Sequence, residues 1–147
     1  MRRGLISDRR TVRVIHMKKA SILIVEDCPE NRALFDAWLV ENGFEVVAAE
    51  GGVQALELLT TVRPDLILTD IMMPEMDGLE LIRRIRGDQR LDGVPIVAMT
   101  AFDTEMTKSL EAGATLAFDK FQGYELLVST IEPMISAGKV LPSERAD

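Results

Sequence analysis

The chain has 147 residues, 47% hydrophobic and 28% charged, with ten glycines, six prolines and a net charge of −7. That length suits one domain burying roughly two thirds of its unfolded surface, and the composition excludes collagen-like, low-complexity and disordered classes. No apolar run approaches the roughly 20 residues that span a bilayer, and the single Cys28 excludes an internal disulfide framework or a multi-cysteine metal site, so a cytoplasmic protein without membrane insertion is expected.

In chain order, residues 1 to 19 come first, with seven basic side chains against Asp8, a net of +6 that leaves −13 for the rest. This basic extension lacks the apolar middle of a secretory signal. It is expected to be disordered, or a start-site artefact if translation begins at Met17. The acidic remainder repels phosphate backbones, so direct nucleic-acid binding is not expected. His16 lies outside the domain and is not expected to act as a ligand.

From Ser21 onward, short apolar runs alternate with longer amphipathic ones. "SILIVE", "DLILT" and "PIVAMT" are nearly continuous in Ile, Leu and Val, as strands covered on both faces should be, and "FEVVAA" and "ATLAF" are weaker strand candidates. Pro29 opens a first helix, "PENRALFDAWLVEN", with Leu34, Ala37 and Trp38 on one face and Gly43 as its left-handed stop. "GGVQALELLTT" is the second helix. "GLELIRRIRG" is the third, with Leu79, Ile82 and Ile85 on one side, and "DTEMTKSLEAG" is the fourth, capped by Asp103 and ended by Gly113. The last helix starts near Tyr124 and is expected to kink or end early at Pro133. Five strands and five helices in alternation make one doubly wound α/β unit over residues 20–137, with a five-stranded parallel sheet and a short tail over 138–147. Ligands bind such sheets beyond the carboxyl ends of the strands.

Those ends carry a distinctive set of residues. The first strand runs into Glu26 and Asp27, the third ends at Asp70, the fourth at Thr100, and the fifth just before Lys120. Three crowded carboxylates repel one another unless a cation neutralises them. All-oxygen ligands without His or Cys suit Mg²⁺. Lys120 adds a fixed positive charge and Thr100 a hydroxyl. Together they describe a place where a phosphoryl group sits on or beside a nucleophilic carboxylate. The blander readings are that Asp70 caps the next turn, that Lys120 is a solvated surface lysine, that Glu26 and Asp27 only favour the start of the first helix, and that Cys28 is an inert thiol.

"VED" after a buried run, "DIMMPEMDG", "TA" after the fourth strand and a lysine after "GATLAFD" together resemble the receiver domain of two-component response regulators, over about Ala20 to Ala137. The resemblance implies a flavodoxin-like fold and a phosphorelay function in which Asp70 accepts a phosphoryl group from a sensor histidine kinase or histidine phosphotransfer protein. It further implies Mg²⁺ held by Asp27 directly, by Glu26 largely through water, by the Asp70 carboxylate and by the Met72 carbonyl. Thr100 and Lys120 would hold the phosphoryl oxygens, and a downstream protein would read the surface made by the fourth helix, fifth strand and fifth helix.

Two positions depart from the family pattern. A proline in a cis peptide bond usually follows the lysine, whereas Phe121 stands here, and a cis bond before a non-proline residue costs about 2.5 to 4 kcal/mol; the loop is expected to be either strained or trans. The switch aromatic three places before the lysine is replaced by Ala117, and strand alternation puts Phe118 on the opposite face. The principal reading is a stand-alone receiver, enzymatic only toward itself. The alternative is a constitutive binding module with impaired switching. A phosphohydrolase acting on outside substrates would want a second acid two residues beyond the nucleophile, where Met72 stands.

Overall fold

The computed structural model describes residues 19–138, together with the backbone of two short strands, β1 (Arg3–Asp8) and β2 (Thr11–His16), that pair antiparallel with Arg3 opposite His16. The side chains of the basic extension and the tail 139–147 lie outside the described residues, as do the readings made of them.

The main sheet is parallel and five-stranded: β3 (Ser21–Val25), β4 (Glu45–Ala49), β5 (Leu66–Asp70), β6 (Ile96–Thr100) and β7 (Leu116–Asp119), in the spatial order β4-β3-β5-β6-β7. The chain leaves β3 for one side, then crosses to β5 on the other, so the order reverses between β3 and β5. That reversal opens a crevice beyond their carboxyl ends. Residues 26 and 27 follow β3 and Asp70 ends β5, so the acidic residues meet there.

Alternate strand residues face opposite layers. Ile22, Ile24, Leu66, Leu68, Val97 and Met99 pack under α1 (Pro29–Glu41) and α5 (Tyr124–Gly138), against Phe35, Leu39, Leu127 and Ile131. Leu23, Val25, Ile67, Ile96 and Ala98 pack under α2 (Gly52–Leu58) and α3 (Gly78–Arg86), against Ala55, Leu79, Ile82 and Ile85. The expected face of α3 is therefore the buried one. α4 (Asp103–Ala112) is held less firmly, with Ser109 as its buried residue.

Three local expectations are corrected. In α1 the core face is Phe35 and Leu39, while Leu34 is 54% exposed and Ala37 is exposed; one residue is a 100° step on a helix, and the Phe35–Leu39 pair points at Ile22 and Ile24. Asp103 is the first helical residue of α4 and not its cap, because Phe102 takes the capping position with no side-chain cap bond. Of the two outcomes expected at Pro133, a kink or an early end, the early end does not occur, because α5 continues to Gly138. Pro133 lies on the exposed side, where water can satisfy the carbonyl one turn earlier that lost its donor. The stop after α1 is as expected: Gly43 has φ +93° and Phe44 N–H donates back to the Leu39 carbonyl at 3.1 Å.

Candidate functional site

The β3–β5 crevice gathers Glu26, Asp27 and Asp70, whose carboxylate oxygens come within 4.8 Å of one another. Glu26 is 1% exposed and Asp70 5% exposed, whereas Asp27 is half-buried. The backbone fixes each position. Glu26 N–H donates to the Ala49 carbonyl at 3.1 Å, and its own carbonyl accepts from the Arg32 guanidinium at 2.8 Å.

The loop after Asp70 is held just as closely. Ile71 N–H donates to Asp70 Oδ1 at 2.8 Å, Thr69 Oγ1 donates to the Asp70 carbonyl at 2.8 Å, and Gly78 N–H donates to the Ile71 carbonyl at 2.9 Å. A Cβ on Gly78 would run into the Asp70 carbonyl oxygen and Ile71 Cα. The glycine of "MDG" is thus what lets α3 start against the acidic strand end, and Asp77 caps that helix through Glu80 N–H at 2.9 Å. Within the turn, Glu75 has φ +65°, a left-handed conformation that glycine adopts more easily.

From the loop after β7, Lys120 Nζ reaches Asp70 Oδ2 at 3.1 Å and Glu26 Oε1 at 3.4 Å. Glu26 Oε2 accepts from Cys28 N–H at 3.2 Å. Burial raises the Glu26 carboxyl above the usual range and the nearby Asp70 carboxylate raises it further, against the pull of Cys28 N–H and Lys120. Burial alone would lower the Lys120 ammonium, yet Asp70 and Glu26 outweigh it and hold it above the ordinary lysine value. One ammonium meets two of the three clustered carboxylates. The donor set is hard oxygen throughout, and the Asp27 carboxylate accepts no hydrogen bond among the described residues. Excess negative charge, oxygen donors and an unengaged carboxylate fit a small divalent cation.

Thr100 ends β6 at 1% exposure, and its Oγ1 accepts from Phe102 N–H at 3.2 Å. A hydroxyl that accepts in this way still has its own proton to donate. A cleft of about 280 Å³ opens above Asp70, lined by Thr100, Lys120, Asn31, Met72, Phe102 and Phe121 among others. The Met72 side chain is 58% exposed at its mouth.

The Lys120–Phe121 region resolves the first departure. The described residues contain no cis peptide bond, and Lys120 still reaches both carboxylates. Lys120–Gln122 form a 3-10 turn in which Phe121 N–H, a donor that proline lacks, is accepted by Asp119 Oδ1 at 2.9 Å. Asp119 was not singled out from sequence, although an Asp before a turn is a recognisable signal. Asn31, Arg32 and Phe102 were missed as well, because their place at the cleft comes from tertiary packing. On the second departure, Phe118 packs in the α1–α5 half of the core, while Ala117 pairs in register with Ala98 of the other half.

The family model for the response regulator receiver domain matches residues 22–132. The chain belongs to that family. It is 42% identical over 82 residues to the polar-differentiation response regulator DivK of Brucella anthropi, covering 56% of this chain and 67% of that protein. It is 36% identical over 128 residues to the response regulator MprA of Mycobacterium ulcerans, covering 86% of this chain and spanning only 54% of that protein's length. Among solved structures, it superposes with a TM-score of 0.75 and 30% identity on the receiver domain of the Pseudomonas aeruginosa sensor histidine kinase PA1611, determined with a magnesium ion in its active-site cleft, over 81% of this chain and 99% of that one. Receiver domains are phosphorelay signalling modules rather than enzymes acting on outside substrates. They bind Mg²⁺ in the active site and interact with histidine kinases or phosphotransfer proteins. Among the described residues, no helix is long and apolar enough to cross a membrane.

Proposed function

We propose that Asp70 is the phosphoacceptor of a cytoplasmic phosphorelay receiver. The observation that carries this reading is the Asp70 carboxylate at the base of the cleft, with Lys120 Nζ at 3.1 Å and Glu26 and Asp27 within 4.8 Å. An Asp70 carboxylate oxygen attacks the phosphorus of a phosphohistidine on a sensor kinase or phosphotransfer protein. The P–N bond breaks, the imidazole leaves with the bonding pair and takes up a proton, and an acyl phosphate forms on Asp70. Lys120 then turns from the carboxylate toward the phosphoryl oxygens, and Thr100 donates its free hydroxyl proton to another.

Glu26, Asp27, Asp70 and the Met72 carbonyl are the residues that would hold Mg²⁺, which when bound offsets the charge on the phosphoryl oxygens. Hydrolysis of the acyl phosphate by water resets the site, so the chemistry is confined to the protein's own aspartate. Output is by binding a downstream protein. Beryllium fluoride stands in for the phosphoryl group on the carboxylate. With Mg²⁺ it is expected to shift the amide resonances of Thr100 and of the loop from Asp119 to Gln122 in the wild type and not in Asp70→Asn. Equal shifts in both proteins would remove the acceptor assignment.

A second reading, a constitutive binding module on a receiver fold, is favoured by one observation: Ala117 presents no ring beside Thr100, and Phe118 packs into the opposite layer. Partner affinity unaltered by beryllium fluoride would support it.

A further inference from the structure

The chemistry at Asp70 constrains where a departing imidazole goes. In phosphoryl transfer the attacking and leaving atoms lie roughly in line, and the Asp70 carboxylate, 5% exposed, lies at the base of the cleft. The attacking oxygen, the phosphorus and the histidine nitrogen therefore run outward, with the phosphoryl oxygens beside Lys120 and the imidazole at the cleft mouth. That mouth is apolar. Met72, Phe102 and Phe121 line it, with 58%, 57% and 83% of their surface exposed.

Among the described residues no large apolar side chain is as exposed as Phe121. It belongs to neither half of the core and makes no ring contact there. Its backbone is nevertheless fixed, because its N–H donates to Asp119 Oδ1 at 2.9 Å within the 3-10 turn Lys120–Gln122. It also directly follows Lys120, whose Nζ lies 3.1 Å from Asp70 Oδ2. A firmly held turn thus presents a bare aromatic ring next to the group that would meet the phosphoryl oxygens. Phosphohistidine brings a flat aromatic ring of its own. With a proton on its far nitrogen that ring is cationic, and the face of a phenylalanine attracts a cation, in addition to the gain from ring-to-ring contact.

We propose that Phe121 determines specificity for an imidazole leaving group, its ring meeting the imidazole of the phosphodonor at the cleft mouth while Asp70 attacks the phosphorus. The P–N bond breaks with its electron pair going to the nitrogen that held the phosphorus, the proton stays on the far nitrogen, and neutral imidazole departs. The proline usual at this position in the family offers no aromatic face, so the preference belongs to this chain. This inference rests on Asp70 being the acceptor.

Two small phosphoryl donors test it. Phosphoimidazole and phosphoramidate both carry phosphorus on nitrogen, but phosphoramidate releases ammonia and has no ring. Uptake by the full chain with Mg²⁺ is followed by intact mass, and the second-order rate constant for phosphoimidazole is divided by that for phosphoramidate. Phe121→Ala keeps the N–H that Asp119 accepts, and it is expected to lower this ratio about fivefold, the scale of a cation–π contact at an exposed site. Phe121→Tyr should restore the ratio, whereas Phe121→Leu, apolar without an aromatic face, should not. A ratio unchanged or raised in Phe121→Ala, including the case in which both rate constants fall together, would overturn the proposal. So would full restoration by Phe121→Leu. Those outcomes leave Asp70 as the acceptor, whereas equal labelling of wild type and Asp70→Asn by phosphoramidate would remove that assignment itself.

Discussion

Lys120 Nζ lies 3.1 Å from Asp70 Oδ2 across fifty residues of sequence, tying the loop after β7 to the end of β5. The same ammonium reaches Glu26 beyond β3, so one side chain bridges three strand ends. A buried carboxylate stripped of its partner is strongly disfavoured, which makes this contact a structural requirement of the acidic cluster as well as a source of charge for a phosphoryl group. The site is thus partly self-neutralised before any ligand arrives, and the groups that neutralise it are those that would turn toward a phosphoryl group on Asp70.

That crowding gives stability a pH dependence. The Glu26 carboxyl is raised in the folded protein, chiefly by burial and then by Asp70. Its contribution to stability is complete below the ordinary value of 4.5 and is lost as pH rises through the folded value. In EDTA, the wild type should therefore lose stability relative to Glu26→Gln as pH rises from 4.5 through that window. Urea denaturation at a series of pH values checks this, and parallel curves for the two proteins would contradict it.

Gly78→Ala drives a methyl group into the Asp70 carbonyl and Ile71 Cα. Backbone must move to admit it. A loss of about 1 to 3 kcal/mol, the scale of overpacking, is expected, together with impaired phosphoryl uptake, because the displaced backbone carries Asp70, the proposed acceptor. An unchanged urea midpoint with normal uptake would show that the close approach is not limiting.

Glu75 has the opposite problem, a left-handed backbone on a residue with a Cβ. Replacement by glycine relieves about 1 to 2 kcal/mol of strain and costs roughly 0.5 to 1 kcal/mol in unfolded-chain entropy. Glu75→Gly is expected to raise the urea midpoint modestly. A lower midpoint would mean that the Glu75 side chain makes a compensating contribution.

Asp119 stands in for the rigidity that a proline gives this loop in most of the family. Asp119→Ala removes the acceptor for Phe121 N–H and is expected to cost about 1 kcal/mol, as for loss of a side-chain cap. It should also slow phosphoryl uptake, because Lys120 is then held less firmly over Asp70. Asp119→Asn keeps an acceptor oxygen and should restore both properties. Equal behaviour of the two variants would refute the capping role.

Much of this site was legible in the sequence because strand ends in a doubly wound sheet converge irrespective of side-chain detail. Apolar runs ending in Glu26, Asp70 and Thr100 therefore bring those residues together on the sequence pattern alone. The third helix was equally plain, since Leu79, Ile82 and Ile85 sit on a strict helical spacing. The face of α1 was not, because Leu34 and Phe35 are adjacent apolar residues and only packing against Ile22 and Ile24 chooses between them. Asp103 belongs one step inside its helix, a difference set by the backbone at Phe102. Pro133 broke a local rule at an exposed position where solvent makes the break cheap. The role of Asp119 follows from a 3-10 turn that the usual proline pattern gave no reason to expect.

Uptake of the phosphoryl group by Asp70 is tested most directly by intact mass spectrometry after incubation with Mg²⁺ and acetyl phosphate. The wild type is expected to gain the mass of one phosphoryl group, lose it again on standing, and take up none when Asp70 is replaced by asparagine. A stable phosphoryl adduct of equal extent on Asp70→Asn would show that another residue is the acceptor.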